Sequence, residues 1–510
     1  MNLTVNGHNI FLILAVTFIS SLILTPIMRK IAFHIGAVDM PNERRLNKVP
    51  MPTIGGFAVF FSFLIGFMLF GRSTVDLIPI LIGAFILIFM GLCDDIKPIS
   101  AKYQLVSQLI ACAIVTIYGG ITIDNFTIIG HTFIFNEPLN YFVTIFLMVG
   151  IINTINLCDG LDGLSSGVSS IYFLTITIIA FLMGMTGGLD VTIAVLMLGS
   201  LLGFLVHNFP PAKQYIGDCG SNFVGYMIAI TACLGFKTAT FTSIIIPLLI
   251  LATPFIDVAF AIIRRILKGQ NPFNTPDKNH LHHQFLKMQF STRSSVLIIY
   301  VINLAFAAVS VLYALGHTDY AFILYFGLMI IFLFIVLKTE VLFKKDKAEE
   351  KKDEDILILE KEEMKKESSK KNGKTKKIYL KNKEIINYLI FGGLTTLISL
   401  VVYYGMTLTI FNPENAILLQ VANVISWIIS VTFAYITNKL FVFESKGNNK
   451  LKEASNYFGS RIATLLLDMA IMYLFVTLLG FNDKIFKLIT QVLVIILNYV
   501  FSKLFVFKKN

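Results

Sequence analysis

Apolar stretches of roughly 18 residues or more recur along this chain, and that is the length an α-helix needs to cross a bilayer. Lipid offers no water to backbone N–H and C=O groups, so such stretches must be helices packed on one another. With 56% of 510 residues hydrophobic, 14% charged and a mean hydropathy of +0.76, a soluble enzyme and a disordered chain are both excluded. The predicted class is an all-α polytopic membrane protein. Much of the Lys and Arg behind the net charge of +11 lies in short loops. Basic loops stay cytoplasmic, so this charge sets orientation and implies no nucleic-acid partner. The five cysteines show no CxxC spacing and give neither a disulfide framework nor a zinc ribbon. The first apolar run has no basic segment before it and no small-residue cleavage site, and reads as a retained helix.

Ile10–Pro26 is the first span. Arg29, Lys30, Arg44, Arg45 and Lys48 follow it, which puts that loop in the cytoplasm and the N-terminus outside. Pro50–Gly56 turns the chain into a second span, Phe57–Phe70. A third, Leu77–Leu92, returns to Asp94-Asp95, and a fourth runs from near Lys102 to Tyr118. Ile121–Asn136, rich in Thr, Ile and Phe and broken by Gly130, predicts a hairpin on the outer face. The fifth span leads into Asn153–Leu164, the sixth and seventh to His207–Lys213, and the eighth and ninth to Asp257, Arg264 and Arg265. A polar loop over Lys268–Arg293 carries His280, His282 and His283, and two more spans reach Leu337. The expectation is a bundle of about eleven helices in residues 1–340.

Asn153–Leu164 reads NTINLCDGLDGL and falls where a membrane helix meets water. Asp159 and Asp162 share a face if a helix starts here. Gly160 and Gly163 let backbone or ligand come close. Acceptor-only carboxylates beside amide oxygens suit a hard cation such as Mg²⁺. A single Asp would be equally well explained as a helix cap; two Asp and two Asn so close together in a membrane protein call for more. The Asp and His clusters all fall on the expected cytoplasmic side. A transporter places ionisable groups near the midplane. An enzyme joining a cytosolic substrate to a lipid gathers them at one face, and a nonenzymatic scaffold needs no such set.

Lys and Glu dominate Lys344–Lys383, and residues 341–384 are expected as a charged cytoplasmic linker. Four apolar spans follow, near 385–410, 417–437, 458–480 and 485–502. They contain a repeat, AYITNKLFVF at Ala434–Phe443 and NYVFSKLFVF at Asn498–Phe507. Residues 385–510 are therefore expected as two helix pairs related by internal symmetry, a four-helix bundle. In its third span Arg461 and Asp468 fall on one helical face, with Asp468 deep in the apolar run. They read either as a helix-packing pair or, with Lys439 and Lys503 at its mouth, as a cleft for a lipid phosphate.

The motif set comprises Asp94-Asp95 with Ser100 and Lys102, NTINLCDGLDGL, Asn208–Lys213, and Gly217-Asp218-Cys219-Gly220-Ser221. It continues with Pro254-x-x-Asp257, Arg264-Arg265, Pro272-Phe273 and His280-Leu281-His282-His283. Together these resemble the polyprenyl-phosphate N-acetylhexosamine-1-phosphate transferases, integral-membrane enzymes that start cell-envelope glycans. The resemblance covers residues 1–340. The paired arginines with H-x-H-H resemble the UDP-N-acetylglucosamine branch; the muramyl-pentapeptide branch carries three contiguous histidines. Relatives often have His where Asn47 stands, a departure that bears on the sugar and not on the reaction. Residues 385–507 resemble the GtrA-like family, four-helix proteins linked to moving polyprenyl-phosphate carriers, through the doubled K-L-F-V-F and Phe391-Gly392-Gly393.

The resemblance implies transfer of N-acetylhexosamine 1-phosphate, GlcNAc 1-phosphate foremost, from the UDP-sugar to undecaprenyl phosphate with release of UMP. It implies Mg²⁺, with Mn²⁺ as the alternative, and a bacterial inner-membrane site facing the cytoplasm. Joining two anions requires charge neutralisation and alignment more than covalent chemistry. By resemblance Asp218 is the main metal ligand, with Asn156 or Asp159 beside it. Asp94 and Asp95 hold or deprotonate the lipid phosphate, and Asp159, His282 and His283 complete the catalytic set. Asp162, Tyr215 and Lys48 meet the uridine, while Lys102, Asn153, Lys213, Arg264, Arg265 and His280 bind the rest of the substrates. Adjacent carboxylates repel, so one of Asp94 and Asp95 is expected to serve as base. Zinc on H-x-H-H would lack an HExxH or Cys partner. Expected partners are the UDP-N-acetylhexosamine, undecaprenyl phosphate and the bilayer, with a homodimer left open. The alternative reading is a transporter or flippase of lipid-linked sugar without transferase activity.

Overall fold

The computed structural model describes residues 3–40, 49–72, 77–128, 131–237, 245–267, 285, 288–338, 416–443 and 450–472, with isolated positions between 388 and 506. Two compact units divide the chain, Met1–Glu363 and Met364–Asn510.

In the first unit a two-residue ribbon, β1 (Thr4–Val5) and β2 (His8–Asn9), leads into α1 (Ile10–Ile35). The Asn9 side chain caps α1 by accepting the Phe11 N–H at 2.8 Å. This helix runs through Pro26, past the span read from sequence. Proline has no N–H to give to the carbonyl of Leu22, one turn back. His207 Nε2, from a later helix, donates to that carbonyl at 3.2 Å, so the group is satisfied within the bundle.

The chain continues through β3 (Val38–Asp39) and β4 (Met51–Pro52), which pair antiparallel, to α2 (Gly55–Phe70) and α3 (Leu77–Ile96). Helix α4 (Ala101–Ala113) ends in a π-type turn over Ile114–Tyr118. The predicted hairpin is present as β5 (Asn125–Ile128) against β6 (His131–Ile134). There follow α5 (Leu139–Cys158), α6 (Leu164–Leu182), α7 (Leu189–Asn208) and α8 (Gly217–Lys237). The predicted ninth span is split at Leu251 into α9 (Ile245–Ile250) and an amphipathic α10 (Ala252–Leu267). Helices α11 (Thr292–Ala314) and α12 (Thr318–Lys338) close the unit.

Among the described residues, seven helices are long and apolar enough to cross a membrane. The chain is thus a multi-pass membrane protein. Helices α6 and α7 are buried along most of their length, whereas α1 turns much of its surface outward. Helix α7 packs on α1 and α6, and α8 on α3 and α5. The first turns of α6 are buried on all sides and rich in small residues, Ser165, Ser166, Gly167, Ser169 and Ser170, which lets neighbours approach closely.

One expectation is corrected. Helix α5 ends at Cys158 and α6 starts at Leu164, with Gly163 at φ 74° before it. Asp159 and Asp162 therefore lie in the turn between two helices and share no helical face. Asn153 and Asn156 belong to the last turns of α5.

In the second unit α13 (Ala416–Thr437) ends in a π-type turn over Asn438–Val442, and α14 (Lys450–Met472) starts before the predicted position near 458. Val431, Ala434, Val442, Phe443, Tyr457 and Val506 form its core, ringed by Tyr388, Trp427, Tyr435 and Tyr499. The charged linker, and most of the spans near 385–410 and 485–502, lie outside the described residues.

Candidate active site

The carboxylates converge where α3, α5 and α8 end or begin. Helix α8 opens at Gly217 with φ 73°, and its first N–H groups need acceptors. Asp95, at the end of α3, supplies them: Oδ1 accepts the Asp218 N–H at 3.1 Å and Oδ2 the Cys219 N–H at 3.2 Å. A carboxylate there also complements the helix dipole. The approach depends on glycine. A Cβ on Gly91 of α3 would fall 2.3 Å from the Cys219 backbone, and one on Gly56 of α2 would fall 2.1 Å from Gly220 Cα. Asp94 closes the turn after α3, its Oδ1 accepting the Ile99 N–H at 2.5 Å. It also borders a cleft whose polar wall is Gln104, Ser107, Gln108 and Asn222.

Asp218 is held from α5. Asn156 Nδ2 donates to Asp218 Oδ1 at 2.7 Å and to Ser221 Oγ at 2.8 Å. One turn earlier on α5, Asn153 Nδ2 donates to Gln108 Oε1 at 2.7 Å. In the α5–α6 turn, Asp159 Oδ1 accepts the Ser165 hydroxyl at 2.5 Å. Burial pushes the Asp159 carboxyl up to about 8; the Ser165 bond opposes that, and the nearby charges of Asp218 and Asp162 add to it. Asp162 Oδ2 accepts the Ala212 N–H at 2.9 Å, tying this turn to the loop after α7; burial also raises its carboxyl above the ordinary range, against that hydrogen bond. Asn208 braces the same loop, accepting from Ser166 Oγ at 2.6 Å and donating to the Gln214 carbonyl at 2.9 Å.

Asp95, Asn156, Asp159 and Asp218 thus form one assembly, with Asn153 and Asp162 at its edges. Tyr215 is partly buried, fixed by its N–H to the Pro52 carbonyl at 2.9 Å and its carbonyl to the Gly55 N–H at 3.0 Å. Lys102 and Lys213 are exposed on flanking segments. Arg264 is buried and Arg265 partly buried in the last turn of α10, which packs on α5 and α11. Lys48, His280, His282 and His283 lie outside the described residues. Sequence reading passed over Gln108, Ser165, Asn222 and Tyr300, whose hydroxyl bonds the Gly163 carbonyl. A polar Gln inside the apolar run of α4 was the one available signal.

A relative from Bacillus subtilis (strain 168), called a probable undecaprenyl-phosphate N-acetylglucosaminyl 1-phosphate transferase, is 42% identical over 297 residues, 57% of this chain and 81% of the relative. The chain belongs to the polyprenyl-phosphate N-acetylhexosamine-1-phosphate transferase family. The decaprenyl-phosphate N-acetylglucosaminephosphotransferase of Mycobacterium leprae (strain TN) is similar at 31% identity over 322 residues, 57% of this chain and 80% of the relative. An undecaprenyl-phosphate alpha-N-acetylglucosaminyl 1-phosphate transferase of Salmonella typhi is 29% identical over 306 residues, 59% of this chain and 83% of the relative. Residues 77–236 match glycosyl transferase family 4, and residues 387–507 match the GtrA/DPMS transmembrane domain. In this transferase-family chain the first match runs from α3 to α8 and so contains every carboxylate of the assembly.

In the second unit Lys439, expected to line the mouth of a lipid-phosphate cleft, is ion-paired to Glu453 at 2.9 Å. Arg461 donates to the Tyr457 hydroxyl at 2.6 Å, sits 4.6 Å over that ring and also bonds the Tyr388 hydroxyl. Asp468 follows two turns on along α14; its side chain, and Lys503, lie outside the described residues.

Proposed function

We propose that residues 1–340 transfer N-acetylhexosamine 1-phosphate, GlcNAc 1-phosphate foremost, from the UDP-sugar to undecaprenyl phosphate at the cytoplasmic face of the inner membrane. An acceptor-phosphate oxygen bonds to the sugar-linked phosphorus, and the bond from that phosphorus to the bridging oxygen breaks to release UMP. The observation that carries this reading is the Asn156–Asp218 bond of 2.7 Å, with Asp159 close enough for its carboxyl to respond to Asp218.

Among the described residues no three His, Cys, Asp or Glu side chains cluster as a metal cage. Mg²⁺ commonly takes one or two carboxylates and completes its shell with water and substrate phosphate, so this donor set fits it. Asp218 and Asp159 would hold the cation, and Asn156 would orient Asp218. When bound, Mg²⁺ neutralises the diphosphate and stabilises the departing UMP. Both Asp95 oxygens are spent on α8, which leaves Asp94 as the member of the pair to meet the acceptor phosphate. Tyr215 offers a flat face for uracil and Asp162 an acceptor for its N–H.

The C-terminal unit binds the carrier phosphate at Arg461 in this reading. Its guanidinium is oriented by the Tyr457 hydroxyl and ring, and a fixed guanidinium suits bidentate binding of a phosphate. The test for the transferase is mass spectrometry of the lipid product from purified protein, undecaprenyl phosphate, Mg²⁺ and a panel of UDP-sugars. A lipid diphosphate bearing GlcNAc is expected. Folded protein that yields no product with any UDP-N-acetylhexosamine contradicts the proposal.

A further inference from the structure

Asn153 lies three residues before Asn156 on α5, and Asn222 four residues after Asp218 on α8, so each shares a helix face with a residue of the proposed metal centre. At the centre the two helices are bonded directly, Asn156 to Asp218. One turn deeper, where α5 and α8 also pack on each other, their asparagine side chains are joined through a third helix. Gln108 of α4 donates from Nε2 to Asn222 Oδ1 at 3.0 Å, and its Oε1 accepts from Asn153 Nδ2 at 2.7 Å. Asn222 Nδ2 in turn donates to the backbone carbonyl of Asp218 at 2.8 Å, and Asn153 Nδ2 to the carbonyl of Val149 at 2.8 Å. Gln108 is 2% exposed and Asn222 6%, while Leu105, Val106, Leu109 and Ile110 around Gln108 on α4 face outward. An amide taken so far from water must be bonded at both ends, and these two ends bind the two helices that carry the site.

We infer that Gln108 is a positioning residue for the metal-and-phosphate centre, setting the register of α8 against α5 through Asn222 and thereby the placement of Asp218 opposite Asn156. The inference rests on the metal reading above. Gln108 acts through the first turn of α8, by way of Asn222 and the Asp218 carbonyl. A residue that merely glued helices together would alter thermal stability and leave the affinity for metal alone.

The experiment uses the full-length chain in detergent. Mn²⁺ binding is followed by electron paramagnetic resonance without substrates, for wild type, Gln108→Met, Asn222→Leu and the double variant. Thermal unfolding confirms that each is folded. Methionine keeps the volume and drops both hydrogen bonds. Gln108→Met should weaken Mn²⁺ binding by about tenfold or more, the usual scale for a partner of a metal ligand. The double variant should be no weaker than Asn222→Leu, because the two residues act in series. At saturating Mg²⁺ the KM for the UDP-sugar should stay within about twofold while kcat falls. Unchanged Mn²⁺ affinity in Gln108→Met, or losses that add in full, overturns the inference. If Gln108→Met does not fold, Gln108→Asn, polar but too short to span both asparagines, is read by the same criteria. Wild type that binds no Mn²⁺ overturns the metal reading and this inference together, whereas wild-type binding with an unaffected variant overturns the inference alone.

Discussion

Asp95 caps the helix that carries Asp218: its two carboxylate oxygens accept the Asp218 and Cys219 N–H groups at 3.1 and 3.2 Å. The two neighbouring aspartates at the end of α3 therefore do different work. Asp94→Ala should lower kcat with a smaller loss of stability than Asp95→Ala, because Asp94 holds one backbone N–H and Asp95 two. Asp95→Ala should cost about 1–3 kcal/mol of stability, because two helix-end donors lose their acceptor. Turnover and thermal unfolding of the purified variants check both statements.

Asp218→Ala removes the carboxylate that Asn156 orients. Turnover should fall by at least about two orders of magnitude. Unfolding temperature should shift little, since Asn156 keeps Ser221 as a partner at 2.8 Å. Near-native turnover at saturating Mg²⁺ would mean that the cation is held elsewhere.

The pH dependence of stability follows from Asp159, whose carboxyl is raised to about 8 by burial first and by Asp218 and Asp162 after it. A raised carboxyl keeps its proton in the folded state where the unfolded chain has released it. The folded protein thus binds more protons between the ordinary Asp range and about 8, and metal-free stability falls as pH rises through that window. Asp159→Asn should flatten this slope. Mg²⁺ should oppose it, because binding to ionised carboxylates strengthens as they lose protons. Unfolding temperatures across pH, with and without Mg²⁺, give the answer.

Residues 1–340 should fold and catalyse without the C-terminal unit, given that the chain divides into two compact units. The C-terminal unit should matter when the acceptor must be delivered. In liposomes with undecaprenyl phosphate loaded in the leaflet away from the active site, the 1–340 truncation and Arg461→Ala should consume that pool more slowly than the full chain, through loss of local concentration. Equal rates in all three would remove the delivery role.

The apolar runs made the helices legible, and the Gly130 break with its Thr, Ile and Phe flanks made the β5–β6 hairpin legible. Asp159 and Asp162 fall off any helix face because α6 starts only at Leu164, and its N-cap, Gly163, has no side chain to mark the start. The role of Asp95 was hidden because capping α8 depends on close approach at Gly91 and Gly56, which local sequence does not encode. Gln108 finds its partners 45 and 114 residues away, and Lys439 finds Glu453 on the next described helix. These are tertiary pairings, and spacing along the chain carries no trace of them.

The central claim is that Asp218, oriented by Asn156 and with Asp159 nearby, anchors a Mg²⁺-dependent sugar-phosphate transfer. The most direct measurement is UMP release by the purified full-length protein from UDP-N-acetylglucosamine and undecaprenyl phosphate, with Mg²⁺ and with a chelator, alongside Asp218→Ala. Release that needs the lipid acceptor, Mg²⁺ and Asp218 together is the predicted result. Release that persists under chelation or in Asp218→Ala, or none from folded wild type, would contradict it.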